Sequence, residues 1–211
     1  MASIFITGIG TGIGKTVVSA IITEALEADY WKPIQAGFED GTDALQVGSL
    51  ISNTKTIIHP EVYKLQMPAS PHIAAREEGM VINLGNIVHH SSLITHHSSL
   101  IIEGAGGILV PLNDNEFVID LIEQLGAKVI LVSRNYLGSI NHSLLTAAIC
   151  RQRNIDVVGW IFNDQYLDYE AEIVRWTGYP KIASIPFVDK IDKAFVSQQA
   201  GLVREGLLKC L

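Results

Sequence analysis

The chain has 211 residues, of which 48% are hydrophobic, and its formal net charge is −7. This length suits one α/β domain with a sizeable core, and the acidic balance without a basic stripe argues against duplex nucleic acid as a partner. No apolar run approaches the length of a membrane span, and the two cysteines, Cys150 and Cys210, lack the C-x-x-C spacing of many metal and redox sites.

Short β-branched runs alternate with helical patterns along the chain. The first strand is predicted at residues 4–7, and the helix predicted over 15–28 carries an apolar stripe that includes Val17, Ile21 and Leu26. Further strands are predicted over residues 30–32, 99–103, 128–133, 156–163 and 181–185, and further helices over 139–153 and 197–208. This alternation predicts a doubly wound, mainly parallel sheet with helices on both faces, in one domain over residues 1–211.

The N-terminal segment goes straight into a strand-like run at residues 3–7. A secretory leader begins with a basic region, continues with an apolar segment and ends at a small-residue cleavage site, and none of these is seen here. The cysteines fit reduced thiols. We therefore expect a soluble cytoplasmic protein with neither a membrane nor a nucleic-acid partner.

A glycine-rich segment, residues 8–16 (GIGTGIGKT), lies between the first predicted strand and the first predicted helix. Such a loop turns its N–H groups towards phosphate, and the helix N-terminus adds positive potential. Lys15 is expected to reach the β- and γ-phosphates of a nucleotide, and the Thr16 hydroxyl to meet Mg²⁺. The strict pattern places the leading glycine at position 9, where this chain has Ile9, so the loop is a variant that starts one residue earlier. The alternative is a glycine-rich turn without a ligand.

Glu103 follows an apolar strand and precedes a glycine run, in the segment 100–107 (LIIEGAGG). Ligands of open α/β sheets bind at the carboxyl ends of the strands, so Glu103 is predicted to face the Mg²⁺ that Thr16 also touches. Taken alone, a glutamate that begins a tight turn explains this pattern equally well. The phosphate loop favours the metal site.

A histidine-containing segment, HHSSL, occurs at residues 89–93 and again at 96–100. The period of seven residues can place His89, His90, His96 and His97 on one helix face, where they could bind a metal. A polar helix surface or a chance duplication explains the repeat more simply.

Seven segments in chain order resemble the dethiobiotin synthetases, and the match runs from about residue 4 to about residue 187. They are the phosphate loop, residues 31–37 (WKPIQAG), 42–45 (TDAL), 70–72 (SPH), 103–107 (EGAGG), 137–142 (LGSINH) and 159–164 (GWIFND). The resemblance implies an ATP- and Mg²⁺-dependent ligase that closes a cyclic urea on 7,8-diaminopelargonic acid with CO₂ in biotin biosynthesis. It also implies a homodimer of P-loop NTPase-like subunits.

The resemblance implies a role for each matching residue. Lys15, Lys32 and Thr11 act at the reacting groups, and Thr16, Asp43 and Glu103 hold Mg²⁺. Gly106 and Gly107 let the backbone approach the diamine. The residues implied to contact the nucleotide are Gly12, Ile13, Gly14, Lys15, Thr16, Val17, Asn163 and Pro186.

The predicted helix at 139–153 provides a candidate site for the substrate carboxylate. Ser139 is predicted to cap this helix, and its first N–H groups carry the positive end of the helix dipole. Ser139, Ile140 and Asn141 are therefore expected to bind the carboxylate, and the resemblance implies that they come from the neighbouring subunit. An exposed helix start without a ligand is the alternative.

The chain departs from the family pattern at Ile9 and Gly10, where the family usually has Thr and Asp or Asn, and at Ala36, where it usually has a hydroxyl residue. Two other functions stay open at this point. Cobyrinic acid a,c-diamide synthases share the expected fold but carry a further domain with a nucleophilic cysteine. Partitioning-type ATPase switches carry a second lysine near the start of the loop, in the region of Gly10. Dependence of ATP turnover on a small diamine, rather than on a protein or DNA, distinguishes the proposed enzyme from the switches.

Overall fold

A parallel sheet of seven strands forms the centre of the computed structural model, which describes residues 3–94, 99–164 and 166–210. The strands in the described residues are β1 (Ser3–Gly8), β2 (Asp29–Trp31), β3 (Ile34–Ala36), β4 (Ile58–His59), β5 (Tyr63–Leu65), β6 (Leu100–Glu103), β7 (Lys128–Arg134), β8 (Val157–Asn163) and β9 (Lys181–Ile185). The helices are α1 (Lys15–Leu26), α2 (Asp43–Leu50), α3 (Pro71–Glu77), α4 (Leu84–Leu93), α5 (Val118–Leu125), α6 (Ser139–Gln152), α7 (Tyr169–Thr177) and α8 (Lys193–Cys210).

The strand order in the main sheet is β4-β2-β6-β1-β7-β8-β9, and β3 and β5 form a separate parallel pair. β1 is the central strand and pairs with β6 on one side and β7 on the other. All the pairings in both sheets are parallel, so the carboxyl ends of β1, β2 and β6 lie at one edge. This arrangement brings the phosphate loop, Lys32 and Glu103 to the same crevice.

Both faces of the sheet are buried because side chains alternate along each strand. Ile4 and Ile6 of β1 face a core formed with α1, α2 and α8, whereas Phe5 faces the opposite core, formed with α3 to α7. The predicted doubly wound sheet with helices on both faces is confirmed. Among the described residues, no helix is long and apolar enough to cross a membrane.

The helix boundaries differ from the prediction by a few residues, and two of these differences have local reasons. α1 ends at Leu26 rather than at residue 28, because Glu27 adopts a left-handed conformation with a φ of 50°. α8 begins at Lys193 rather than at residue 197. The Asp192 carboxylate accepts a hydrogen bond from the backbone N–H of Phe195, which satisfies a donor of the first turn.

Candidate functional site

The phosphate loop joins β1 to α1 and curls around the start of the helix. Gly14 precedes α1 with a φ of 88°, and a Cβ atom at this position would lie 2.5 Å from the Asn163 amide nitrogen. Only glycine fits both the backbone conformation and this space. The buried Lys15 is the first residue of α1, and its Nζ donates to the carbonyl oxygen of Gly10 at 2.7 Å. The ammonium thus lies inside the curve of the loop, where a phosphate is expected.

The Lys15 ammonium is easier to deprotonate than an ordinary lysine. Burial lowers its pKa to about 8, with a further lowering from Lys32 that is opposed by the charges of Glu103 and Asp43. A bound polyphosphate favours the charged form, so nucleotide binding raises this pKa. The loop therefore holds a cation that bound phosphate makes harder to deprotonate.

Three oxygen-bearing side chains converge beside the loop. The Thr16 hydroxyl lies 3.0 Å from Glu103 Oε1 and 3.2 Å from Asp43 Oδ1. Glu103 ends β6 and is 1% exposed, and Asp43 is the first residue of α2. Hydroxyl and carboxylate oxygens are hard ligands of the kind that Mg²⁺ takes beside nucleotide phosphates, so this set fits the metal.

Lys32 directly follows β2 and is almost completely buried among these carboxylates. Its Nζ forms ion pairs with Asp43 and, at 2.9 Å, with Glu103 Oε1. Burial opposes the positive charge, but the charges of Glu103 and Asp43 and the hydrogen bonds to them raise the pKa of Lys32 above its ordinary value. Lys32 is therefore a fixed cation in this site.

Two residues near Asp43, Thr42 and Gln35, hold it in place. The sequence pattern did not identify Gln35. Thr42 caps α2, with its hydroxyl accepting from the backbone N–H of Leu45 at 3.2 Å. The Gln35 side chain accepts from the backbone N–H of Asp43 at 3.2 Å and donates to the carbonyl of Gly37 at 2.7 Å. Gln35 lies in the quoted segment 31–37, but no pattern in the sequence indicates that its side chain reaches α2.

A cavity of about 720 Å³ contains most of the predicted phosphate and metal residues. The predicted residues that line it are Thr11, Gly12, Gly14, Lys15, Thr16, Val17, Lys32, Asp43, Glu103 and Gly106. Gly107 packs instead against the backbone of Gly8 and Gly10. Residues that the sequence interpretation did not assign also line the cavity, among them Ile34, Gln46, the segment 68–71, Ala105 and Val110. Ala36 also lines the cavity, so the position where the family usually has a hydroxyl residue is part of the cavity wall.

A smaller cavity of about 180 Å³ adjoins the loop at the ends of β8 and β9. It is lined by Asn163 and Pro186 and by the apolar side chains of Phe187, Ile191 and Phe195. Gly12, Ile13, Gly14 and Val17 line it from the loop side, so the predicted nucleotide contacts lie in the two adjacent cavities. A partly apolar cavity next to a phosphate loop suits a nucleobase.

Asn163 is tied to the loop more closely than the sequence indicates. Its Nδ2 donates to the carbonyl oxygen of Ile13 at 2.6 Å and lies against Gly14. One amide hydrogen is thereby used within the protein, and the side-chain oxygen remains as an acceptor. The predicted contact with adenine stays a prediction, and anchoring of the loop is a second role for this residue.

The start of α6 differs from the sequence prediction in one respect. Gly138, with a φ of 108°, is the N-cap, and Ser139 is the first residue of the helix, so the prediction of Ser139 as the cap was wrong. The Ser139 hydroxyl accepts from the backbone N–H of Tyr136, and the Ser139 N–H donates to the Tyr136 carbonyl. The hydroxyl bonds back to the preceding turn, and glycine takes the left-handed position.

The α6 residues Ser139, Ile140 and Asn141 are not among the described residues that line either the larger or the smaller cavity. Within one chain the structure therefore does not bring them together with Lys15 and Lys32.

The histidine repeat lies only partly in the described residues. His89 and His90 are on α4, whereas His96 and His97 lie outside the described residues. In the part of the chain that the structure describes, no group of three or more His, Cys, Asp and Glu side chains could hold a metal ion. The predicted Mg²⁺ set of Thr16, Asp43 and Glu103 contains only two residues of these types.

Comparisons with known proteins show which families this chain resembles. A family model described as "AAA domain" matches residues 2–194. The ATP-dependent dethiobiotin synthetase BioD of Cytophaga hutchinsonii is 50% identical over 95% of this chain and 96% of its own. The protein of the same name from Christiangramia forsetii is 44% identical over 97% of each chain.

Among solved structures, the cell division ATPase MinD of Pyrococcus furiosus superposes with a TM-score of 0.62 over 100% of both chains, at 13% identity. At that identity the likeness shows a shared fold and nothing more. The curated relatives favour the dethiobiotin synthetases over the two alternative functions. Identity of this extent over nearly the whole length shows that the chain belongs to the ATP-dependent dethiobiotin synthetase family.

Proposed function

We propose that this protein closes a cyclic urea on 7,8-diaminopelargonic acid with CO₂, and that it uses MgATP and releases dethiobiotin, ADP and phosphate. One observation carries the proposal: Lys15, Lys32 and the oxygens of Thr16, Asp43 and Glu103 face one cavity in a chain of this family. The reaction joins anions, since a carbamate attacks a phosphoryl group, and fixed cations offset their repulsion.

The phosphate end of ATP is assigned to the loop. Lys15 reaches the β- and γ-phosphates from its place beside the Gly10 carbonyl, and the loop N–H groups hold the remaining oxygens. Thr11 lines the same cavity and lies beside the reacting groups. Because phosphoryl transfer depends mainly on position and charge, these groups act by holding the phosphates in line with the attacking oxygen.

The set of Thr16, Asp43 and Glu103 is assigned to Mg²⁺. When bound there, Mg²⁺ supplies positive charge at the phosphate oxygens. Lys32 lies next to the same carboxylates and is assigned to the carbamate and the transferring phosphoryl group. It provides a cation that does not depend on the nucleotide for its charge.

Ring closure requires the second amine to attack the activated carbamate before water does. Gly106 lines the cavity, and Gly107 packs on the loop, so the backbone in this segment can approach the diamine closely. Holding the second amine next to the anhydride provides the advantage of an intramolecular reaction. Closure of the cavity against water prevents hydrolysis of the anhydride.

The adenine is assigned to the smaller cavity, between the apolar side chains and the Asn163 amide oxygen. That oxygen can accept a hydrogen bond from the adenine amino group. Pro186 lines the same cavity, and the backbone near it provides further contacts.

The substrate carboxylate is assigned to the start of α6 in a homodimer with shared active sites. Ile140 and Asn141 are in the first helical turn, where backbone N–H groups have no partner four residues earlier in the helix. Leu137 and Leu145 are 77% and 62% exposed, and these apolar side chains on and beside α6 suit a subunit contact. A single domain acting in the cytoplasm completes the proposal.

The deciding experiment measures ADP release with diaminopelargonate and bicarbonate, each omitted in turn. Turnover is expected only with both. ATP turnover that needs a protein or DNA instead of the diamine contradicts the proposal and favours a partner-dependent switch.

The metal assignment has its own test, since Asp43→Ala and Glu103→Ala are each expected to raise the Mg²⁺ concentration for half-maximal activity. An unchanged Mg²⁺ requirement in both variants refutes that assignment.

A further inference from the structure

A tyrosine that no sequence motif identified lies directly behind the metal-binding carboxylates. Tyr30 is the middle residue of β2 and is 0% exposed. Its hydroxyl donates a hydrogen bond to Glu103 Oε2 at 2.9 Å, and the bond is fully buried. The residue does not line the cavity among the described residues, so it reaches the site only through Glu103.

The two oxygens of Glu103 have separate partners. Oε1 faces the site and lies 3.0 Å from the Thr16 hydroxyl and 2.9 Å from Lys32 Nζ. Oε2 faces the core and receives the Tyr30 hydroxyl. A carboxylate held in this way cannot rotate about its last bond without losing a buried, charge-assisted hydrogen bond. Only Oε1 is then presented beside Thr16.

The position of Tyr30 is set by the sheet rather than by the site. Tyr30 pairs with Ile101 in β6, two residues before Glu103, and its ring belongs to the same core cluster as Ala44 and Val47 of α2. α2 also begins with Asp43. Tyr30 thus belongs to the core on which α2 packs, while its hydroxyl donates to Glu103 at the end of β6.

The buried Tyr30 hydroxyl is the donor of this hydrogen bond, and the Glu103 carboxylate is its acceptor. A phenylalanine at this position would fill the same core volume, so packing alone does not require the hydroxyl. The hydroxyl of Tyr30 serves instead to bind the buried Glu103 Oε2.

We propose that Tyr30 is a positioning residue of the metal site, which fixes Glu103 so that Oε1 alone is offered to Mg²⁺. The inference rests on the proposed assignment of Thr16, Asp43 and Glu103 to the metal. Partners of this kind orient metal ligands, and their loss typically lowers metal affinity by about 10- to 100-fold.

The test compares Tyr30→Phe with the unaltered protein in direct metal binding. Mn²⁺ replaces Mg²⁺ as the probe, and free Mn²⁺ is measured by electron paramagnetic resonance in the presence of ATP without the diamine. Tyr30→Phe is expected to weaken Mn²⁺ binding by about 10- to 100-fold. ATP affinity measured in EDTA is expected to stay within about twofold, because Tyr30 does not reach the phosphates, and such a difference is below 1 kcal/mol.

Tyr63→Phe is the matched control. The Tyr63 hydroxyl accepts a hydrogen bond from the backbone N–H of Asn83 at 2.9 Å, away from the metal site. This variant loses the same hydroxyl and is expected to bind Mn²⁺ as the unaltered protein does. Tyr30→Met also lacks the hydroxyl and provides a second variant if Tyr30→Phe does not fold.

Glu103→Gln separates failure of this inference from failure of the proposed metal site. If Glu103→Gln weakens Mn²⁺ binding and Tyr30→Phe does not, the positioning role is overturned while the metal site stands. If neither variant changes Mn²⁺ binding, the metal assignment fails and the inference fails with it. If Tyr30→Phe loses as much affinity for ATP in EDTA as it loses for Mn²⁺, the variant is generally disrupted and the inference is also overturned.

Discussion

Replacement of Lys32 by methionine tests the buried charge cluster most directly. Methionine keeps an unbranched chain but removes the ammonium that pairs with Asp43 and Glu103. Glu103 is 1% exposed at its side chain and Asp43 is 26% exposed, so two carboxylates lose their shared cation in a largely buried place. Removing one partner of a buried ion pair typically destabilises a fold by about 3–5 kcal/mol.

The exposed ion pair of Lys55 and Glu27 provides a matched control. Their side chains are 69% and 42% exposed, and exposed pairs contribute about 0.2–1 kcal/mol. Urea denaturation followed by circular dichroism gives the free energy of unfolding for both variants. We expect the free energy of unfolding of Lys32→Met to be lower than that of Lys55→Met by roughly 2–5 kcal/mol, the difference between losing a buried and an exposed ion pair.

The second measurement is the rise in melting temperature when Mg²⁺ is added. In Lys32→Met the carboxylates lack a resident cation, so adding Mg²⁺ is expected to raise the melting temperature more than in the unaltered protein. A loss of stability no larger than that of Lys55→Met, together with an unchanged response to Mg²⁺, refutes the view that Lys32 neutralises this cluster.

Three further predictions concern the nucleotide and the dimer. Burial lowers the pKa of Lys15 to about 8 in the free protein, and bound phosphate raises it. ATP affinity is therefore expected to be full below pH 8 and to fall by about tenfold per pH unit above it. A calorimetric titration that shows constant ATP affinity up to about pH 9.5 contradicts this expectation. Asn163→Ala is expected to weaken both ATP binding and the preference for ATP over GTP, because it removes a loop anchor and an acceptor for adenine; an unchanged ranking of nucleotides in binding assays assigns base selection to the backbone near Pro186. Asn141→Pro is expected to raise the KM of the diamine far more than the KM of ATP. Mixing this variant with Lys15→Ala is expected to restore activity, because a mixed dimer contains one intact shared site. If subunit exchange is demonstrated and the mixture stays inactive, shared sites are excluded.

Elements with strong local patterns could be predicted from the sequence. The buried strands β7 and β8 and the helix α1 have long apolar or periodic runs, and their predicted positions agree with the structure within a few residues. The separate pair β3 and β5 has three residues in each strand and was not predicted. Strands this short carry too little pattern to be distinguished from loops, and their pairing is decided by packing over long range.

The sequence by itself determined the phosphate loop, because glycine conformation, Lys15 and the start of α1 are local features of nine consecutive residues. It also pointed to Glu103 through the end of a strand. Only the tertiary structure decided that the two oxygens of Glu103 have different partners, with Tyr30 donating to one and Lys32 to the other. Tyr30 and Glu103 are 73 residues apart. Their contact depends on the register of β2 against β6, and strand register is set by the packing of both faces rather than by either segment alone.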